Sequence, residues 1–418
     1  MINILFLLFF IFLFTINGLE NGLARLPPMG WMSWTKFYCE IDCERHPFSC
    51  INENLYMDMA DAMVEHGYKD VGYEYIHIDD CWSEKNRDNN GKLIGDKIRF
   101  PSGIPALAKY VHDKDLKFAI YGDAGTLTCG GYPGTLKHEK IDMETFVEWK
   151  VDYLKLDGCN IDDDEMAIRY PLVSKYLNRT NIVYSCSWPA YLIQKPEKVN
   201  YTIIANYCNL WRNFDDINRS WESILSIIDY YVANQDKLIP ANGPGSWNDP
   251  DMIIVGNSEI TVDQSKVQMT IWSIWSSPLI MSNDLRIIPI EYKEILQNKE
   301  VIAVDQDPLG IMGRMIFNVS NIQVFVKPMT PYDSERKLYS YAIAIFNRGT
   351  HELETAIEID KIGLTNKDGY IFKDLWEHKR KGILYPNDKL KVIVPPTGVV
   401  FYKASLPNMI FKKDFEDF

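Results

Sequence analysis

From residue 19 to about residue 310, short runs rich in β-branched and aromatic residues alternate with longer stretches of helical periodicity. The runs at 28–34, 73–79, 116–121, 153–157, 182–186, 203–206, 246–248 and 278–282 read as strands. Between them, 52–65 places Leu55, Met59 and Met63 on one helical face, and 264–275 forms a helix ending before Pro278. Strands joined by crossover helices predict a parallel sheet, and eight such units over this length match a closed (β/α)8 TIM barrel spanning 19–310. Beyond Gly310 the period changes. Segments 323–326, 338–346 and 391–394 alternate apolar and polar residues between Gly, Pro, Asn and Asp clusters, which predicts an antiparallel β-sandwich over 311–418 with a structural role.

The first residues fit neither texture. An apolar run at 4–15, followed by a more polar 16–18, marks 1–18 as a secretory signal peptide too short to span a bilayer comfortably. The usual positive charge near the start is missing, which leaves a membrane anchor as the alternative. No later run approaches an apolar span, so the mature chain is expected to be soluble and not an integral membrane protein. All eight cysteines, Cys39, Cys43, Cys50, Cys81, Cys129, Cys159, Cys186 and Cys208, fall in the first half. Behind a secretory signal they suggest disulfides of undetermined connectivity. Asn178, Asn200, Asn218 and Asn318 each open an Asn-x-Ser/Thr glycosylation acceptor. A formal net charge of -13 disfavours nucleic acid as a partner and leaves neutral, soluble substrates.

Candidate chemistry concentrates where strands end. In 153–157, Tyr153, Lys155 and Asp157 share a face, and a lysine beside a carboxylate favours the ionised acid, so Asp157 reads as a nucleophile. In a barrel, strand ends and the following loops share one mouth, which also collects Trp34, Asp79, Asp80, Tyr121, Ser187, Arg212, Asp216 and Asp251. Aromatic faces stack on a sugar ring while carboxylates accept bonds from its hydroxyls, so the set suits a carbohydrate pocket. Glycosidic cleavage needs two carboxyl groups in opposite protonation states. The segment 211–216 is where burial or neighbouring carboxylates could raise one acid to serve as proton donor.

Blander readings compete with each of these. Asp79, Asp80, Asp249 and Asp251 could bind a hard cation, but their spacing matches no loop motif. The acidic run 162–165 reads as the first turn of a helix, His77 as a hydrogen-bonded core residue, and Trp34 and Tyr121 as barrel filler. The seven histidines form no ligand cluster, which disfavours a metal-dependent hydrolase. No metal or cofactor is expected.

Five motifs, Met29-Gly30-Trp31, Ile78-Asp79-Asp80-Cys81-Trp82, Lys155-Leu156-Asp157-Gly158-Cys159, Trp211-Arg212-Asn213 and Trp247-Asn248-Asp249-Pro250-Asp251-Met252, resemble the α-galactosidase and α-N-acetylgalactosaminidase family, glycoside hydrolase family 27. The resemblance runs from about residue 19 to 313 and is weaker beyond. It implies Asp157 as nucleophile and Asp216, rather than Asp215, as acid/base. It also implies that Asp79 and Asp80 bind the 4- and 6-hydroxyls of a galactose-configured ring, that Lys155 bridges hydroxyls, and that Trp34 forms the wall behind them. Tyr121, Cys129, Cys159, Tyr191, Arg212, Asp251 and Met252 would line the remainder. The implied disulfides are Cys39–Cys81, Cys43–Cys50, Cys129–Cys159 and Cys186–Cys208. Galactose-specific members carry Glu and Leu where this chain has Ser187 and Ala190, so the resemblance implies a pocket open to a 2-acetamido group, with secondary action on α-galactosides. Terminal α-N-acetylgalactosamine or α-galactose glycoconjugates would be the substrates. A lysosomal homodimer reached through the secretory pathway is implied, a secreted enzyme being the alternative. From another class, the chain could be a sugar-binding protein on a disabled barrel.

Overall fold

The computed structural model describes residues 19–407, so the signal-peptide reading of 1–18 lies outside the described residues. Eight parallel strands form the first sheet: β1 (Met29–Met32), β2 (Tyr75–Ile78), β3 (Lys117–Asp123), β4 (Tyr153–Asp157), β5 (Val183–Cys186), β6 (Leu210–Arg212), β7 (Trp247–Asp249) and β8 (Leu279–Met281). Their order runs β7-β6-β5-β4-β3-β2-β1-β8. A parallel bridge from Ile253, just after β7, to Met281 in β8 closes the sheet into a barrel. The strands are buried almost throughout, as expected where helices cover the outer face and side chains fill the interior.

Local signals account for the helices. Asn52 caps Glu53–Glu65 by accepting the Leu55 amide at 2.9 Å, and Leu55, Met59 and Met63 are buried on the inward face. Thr261 and Gln264 form a capping box at the start of Val262–Trp275. That helix is buried nearly all round because it lies between the barrel and strands of the second domain. The acidic run 162–165 is the start of the helix Asp163–Leu177, as read from the sequence.

One strand reading was wrong. Residues 203–205 belong to the helix Tyr201–Ala205, which Asn206 caps and whose start is set by Asn200 accepting the Ile203 amide at 3.1 Å; the strand follows at Leu210–Arg212. The β-branched pair Ile203-Ile204 drew the strand reading, whereas the cap decided the backbone.

The second domain carries β9 (Arg314–Val319), β10 (Ile322–Asp333), β11 (Leu338–Asn347), β12 (Leu353–Glu358), β13 (Tyr370–Asp374), β14 (Arg380–Leu384), β15 (Lys389–Val394) and β16 (Val399–Ser405). A six-stranded antiparallel sheet, β14-β13-β16-β11-β10-β9, faces the pair β12-β15 across its own core of Val324, Ile343, Phe372 and Val394. Lys327 of β10 is fully buried and donates to Ser273 O (3.0 Å) and Ser276 Oγ (2.6 Å) at the end of Val262–Trp275. The two domains are therefore joined by a buried polar contact as well as by packing.

Candidate active site at the barrel mouth

Asp157 is the last residue of β4, so its side chain emerges at the mouth while Leu154 and Leu156 stay fully buried behind it. Two tyrosine hydroxyls hold its carboxylate: Tyr121 donates to Oδ2 at 3.0 Å and Tyr191 to Oδ1 at 2.8 Å. The Cys129–Cys159 disulfide lies alongside, with Cys129 Sγ 3.6 Å from Oδ2 and Cys159 Sγ 3.2 Å from the Tyr191 hydroxyl. Gly158 is required at the next position, since a Cβ there would come within 2.9 Å of Tyr170 Oη and of the Tyr191 ring.

Lys155 does not bond Asp157. Its Nζ reaches across the mouth to Asp79 Oδ2 at 2.7 Å, because the long side chain spans from β4 to the end of β2. Burial lowers the Lys155 pKa, but Asp79, Asp157, Asp216 and Asp251 together raise it and keep the ammonium charged. Burial raises Asp79, against the opposing charge of Lys155. Asp80 is likewise raised by burial, although its Oδ2 accepts the Gly130 amide at 2.7 Å and its Oδ1 the Cys81 amide at 2.6 Å.

Across the mouth, Arg212 organises the other wall. Its Nη1 pairs with buried Asp251 at 2.9 Å, while Nη2 donates to the carbonyls of Phe214 (3.1 Å) and Asp215 (3.0 Å) and to Asp216 Oδ1 (3.0 Å). The side chain of Asp216 is 73% exposed. Partial burial would raise its pKa, but the charges of Arg212 and Lys155 prevail and hold it below the usual carboxylate range. The expectation that burial or neighbouring carboxylates lift an acid in 211–216 is reversed here, because the segment carries its own guanidinium.

A cavity of about 200 Å³ is lined by Asp157, Ser187, Ala190, Tyr191, Arg212, Phe214, Asp215 and Asp216. Ser187 is buried, and Ala190 begins a single 3-10 turn, Ala190–Leu192, that also carries Tyr191. A narrower pocket beneath it joins Lys155, Arg212, Asp251 and Met252. Trp34 follows β1 in a short helix, half-buried and edge-on to Tyr38 at 5.8 Å. Larger cavities of about 400 Å³ on the second domain and about 600 Å³ between it and the helix Val262–Trp275 do not gather the paired acids, tyrosines and guanidinium of the mouth.

The structure joins Cys39 to Cys81, Cys43 to Cys50, Cys129 to Cys159 and Cys186 to Cys208. Asn178, Asn200, Asn218 and Asn318 are all exposed. His77 differs from its reading. It is buried, but among the described residues neither ring nitrogen has a hydrogen-bond partner; the ring packs edge-on to Tyr153 at 4.6 Å, and burial with the Lys155 charge lowers its pKa to about 3.

One acid escaped the sequence reading, and another was read there only as a possible cation ligand. Asp123 faces Asp157 in the β3–β4 register, and ending that strand at residue 121 hid it; two more residues of strand would have exposed the pairing. Asp249, at the end of β7, is raised to about 6 by burial against the opposing charge of Arg212, and only the proximity to Arg212 distinguishes it from an ordinary buried acid.

A parallel barrel with paired carboxylates across its mouth, backed by an antiparallel domain, defines a glycoside hydrolase. A family model described as alpha galactosidase A matches residues 26–307, and one described as alpha galactosidase C-terminal beta sandwich domain matches 319–404. The chain is 49% identical to alpha-N-acetylgalactosaminidase of Gallus gallus over 92% of its own length and 94% of the relative's. It is 44% identical to alpha-galactosidase A of Homo sapiens over 95% and 93% of the two chains. Among solved structures, alpha-galactosidase I from Mortierella vinacea superposes with a TM-score of 0.80 at 30% identity, covering 92% of this chain and 98% of that one. The chain belongs to the alpha-galactosidase A family, glycoside hydrolase family 27.

Proposed function

We propose that this protein is a retaining exo-α-N-acetylgalactosaminidase that also acts on α-galactosides. One observation carries the reading: Asp157 and Asp216 line a single cavity with Ser187 and Ala190. Asp157 attacks the anomeric carbon and forms a glycosyl ester as the bond to the aglycone oxygen breaks. Asp216 gives its proton to that oxygen, then takes one from water, which attacks the same carbon and releases the sugar with its α configuration. Each tyrosine occupies one lone-pair direction on one Asp157 oxygen, which orients the carboxylate and leaves the other directions free for attack.

Asp79, Asp80 and Lys155 receive the 4- and 6-hydroxyls at the base of the pocket, and Trp34 forms the wall behind the ring. Arg212, Asp251 and Met252 close the floor, and the Cys129–Cys159 disulfide and the two tyrosines close the side of the nucleophile. At the 2-position, Ser187 offers a hydroxyl and Ala190 a methyl, which leave room for an acetamido group where larger, acidic side chains would crowd it. Relatives named for each activity stand at similar identity, so these two residues carry the choice.

The Arg212 bond to Asp216 favours its ionised form, so the protonated acid is populated only as the pH falls well into the acidic range. That supports an acidic compartment, reached through the secretory pathway, with a secreted enzyme as the alternative. Exposed sequons fit N-glycosylation, and the protein is proposed to act as a homodimer without metal or cofactor. Among the described residues, no helix is long and apolar enough to cross a membrane.

The decisive experiment compares kcat/KM on paired 4-nitrophenyl α-N-acetylgalactosaminide and α-galactoside, before and after Ser187→Glu with Ala190→Leu. The unmodified enzyme should favour the first substrate and the double variant the second. A double variant that still prefers the acetamido sugar would sink this account of the pocket.

A further inference from the structure

The carboxyl of Asp123 takes no part in the reaction as proposed, yet it lies directly behind Asp157 as its register partner on the neighbouring strand. It is fully buried. Its Oδ1 accepts the Gly125 amide at 2.7 Å and its Oδ2 the Cys159 amide at 2.9 Å, so one side chain ties the loop after β3 to the turn after β4. The two backbones meet closely there, since a Cβ on Gly125 would fall 1.9 Å from Cys159 O. The disulfide beside the Asp157 carboxylate connects to this point. Cys129 Sγ lies 3.8 Å from Asp123 Oδ2 and 3.6 Å from Asp157 Oδ2, and Cys159 Sγ supports the Tyr191 hydroxyl that bonds Asp157.

We infer that Asp123 is a positioning residue for the nucleophile, whose carboxyl locks the β3 and β4 loops together and thereby sets the orientation from which Asp157 attacks. The inference rests on Asp157 being the nucleophile. Only a carboxyl suits the task, because an amide of the same shape offers one acceptor oxygen where two amides must be received. Protonation agrees with it. Burial, then the Asp157 charge, raises Asp123 to about 8, so in the acidic range Asp123 carries a proton and adds no second anion beside the nucleophile. Asp80 and the hydroxyls of Tyr121, Tyr170 and Tyr191 are the other titratable groups facing it, and none is a cation.

A 5-fluoro α-glycosyl fluoride of the preferred sugar isolates this step. The C1–F bond breaks, fluoride leaves with its electron pair, and an Asp157 oxygen forms the ester to C1 without a proton from Asp216. Intact-mass measurement follows the adduct over time, and peptide mapping locates it. In Asp123→Asn the adduct should form roughly 100-fold more slowly, the scale of an ångström's misplacement. The dissociation constant of free N-acetylgalactosamine should change less than about threefold, because Asp79, Asp80 and Lys155 are untouched. Should that variant not fold, Asp123→Glu keeps both acceptor oxygens but displaces the turn by a methylene, and the same split is expected. Adduct formation at the unmodified rate in a folded variant overturns the inference, as does an equal loss in sugar binding. An adduct on another residue in the unmodified enzyme overturns the nucleophile assignment instead, so the two failures are distinguishable.

Discussion

The two carboxylates of the mouth live in opposite surroundings. Asp157 ends a buried strand, gripped by two tyrosine hydroxyls and flanked by a disulfide, whereas Asp216 sits on a loop with most of its side chain in solvent and a single guanidinium for company. A nucleophile must hold one direction of attack through two bond-making steps, which a strand end and fixed donors provide. An acid/base must instead gain and lose a proton in each cycle, which requires access to water and a pKa that moves with its neighbours. The difference between rigid and responsive settings is the division of labour expected of the pair.

That contrast can be broken most severely at the rigid end. Asp157→Asn should lower hydrolysis by roughly 10⁴-fold or more for every leaving group, since no second carboxylate takes over the attack. A variant retaining a tenth of the activity would remove Asp157 from the mechanism. At the responsive end, Asp216→Asn should cost about 10²- to 10⁴-fold on poor leaving groups and far less on glycosyl fluorides, which depart without a proton. Equal losses across leaving groups would argue against Asp216 as the acid.

A gentler change sharpens the comparison. Arg212→Lys keeps the cation near Asp251 but loses the forked geometry that bonds Asp216, so the Asp216 pKa should rise and the basic limb of the kcat/KM profile should move up by about one pH unit. An unmoved limb would mean that Arg212 does not govern the proton. The smallest effect concerns stability. Asp123 and Asp305 are raised to about 8 and Asp249 to about 6, each by burial first, so the folded state binds more protons than the unfolded chain between the ordinary carboxylate range and those values. Stability from these groups is therefore lost as pH rises through the window from about 4 to 8. His77, lowered to about 3, acts the other way between that value and its ordinary range near 6.5. The three acids outweigh one histidine, so Tm should fall between pH 5 and 7.5; a rise over that interval would contradict the burial of these acids.

Much of this arrangement was legible in the chain. The alternation of β-branched runs with helical periods gave the barrel, its change of period gave the antiparallel domain, and the strand end at Asp157 stood out because alternation put Tyr153, Lys155 and Asp157 on one face. Failures occurred where local cues and partners disagreed. Ile203-Ile204 has strand composition, but the Asn200 cap makes it helical. Lys155 is adjacent to Asp157 in sequence pattern, but it pairs with Asp79 two strands away. His77 has the composition of a satisfied core group, yet among the described residues its ring nitrogens have no hydrogen-bond partner, and the ring packs against Tyr75 and Tyr153.

The sequence by itself determined which elements form and which side chains stand at the strand ends, because period, capping and β-propensity act over a few residues. Tertiary structure alone decided the partners of the acids: two tyrosines on Asp157, a guanidinium on Asp216, and Asp123 buried beside Asp157. Those depend on distance and dielectric between groups far apart along the chain, and both quantities exist only once the barrel has closed.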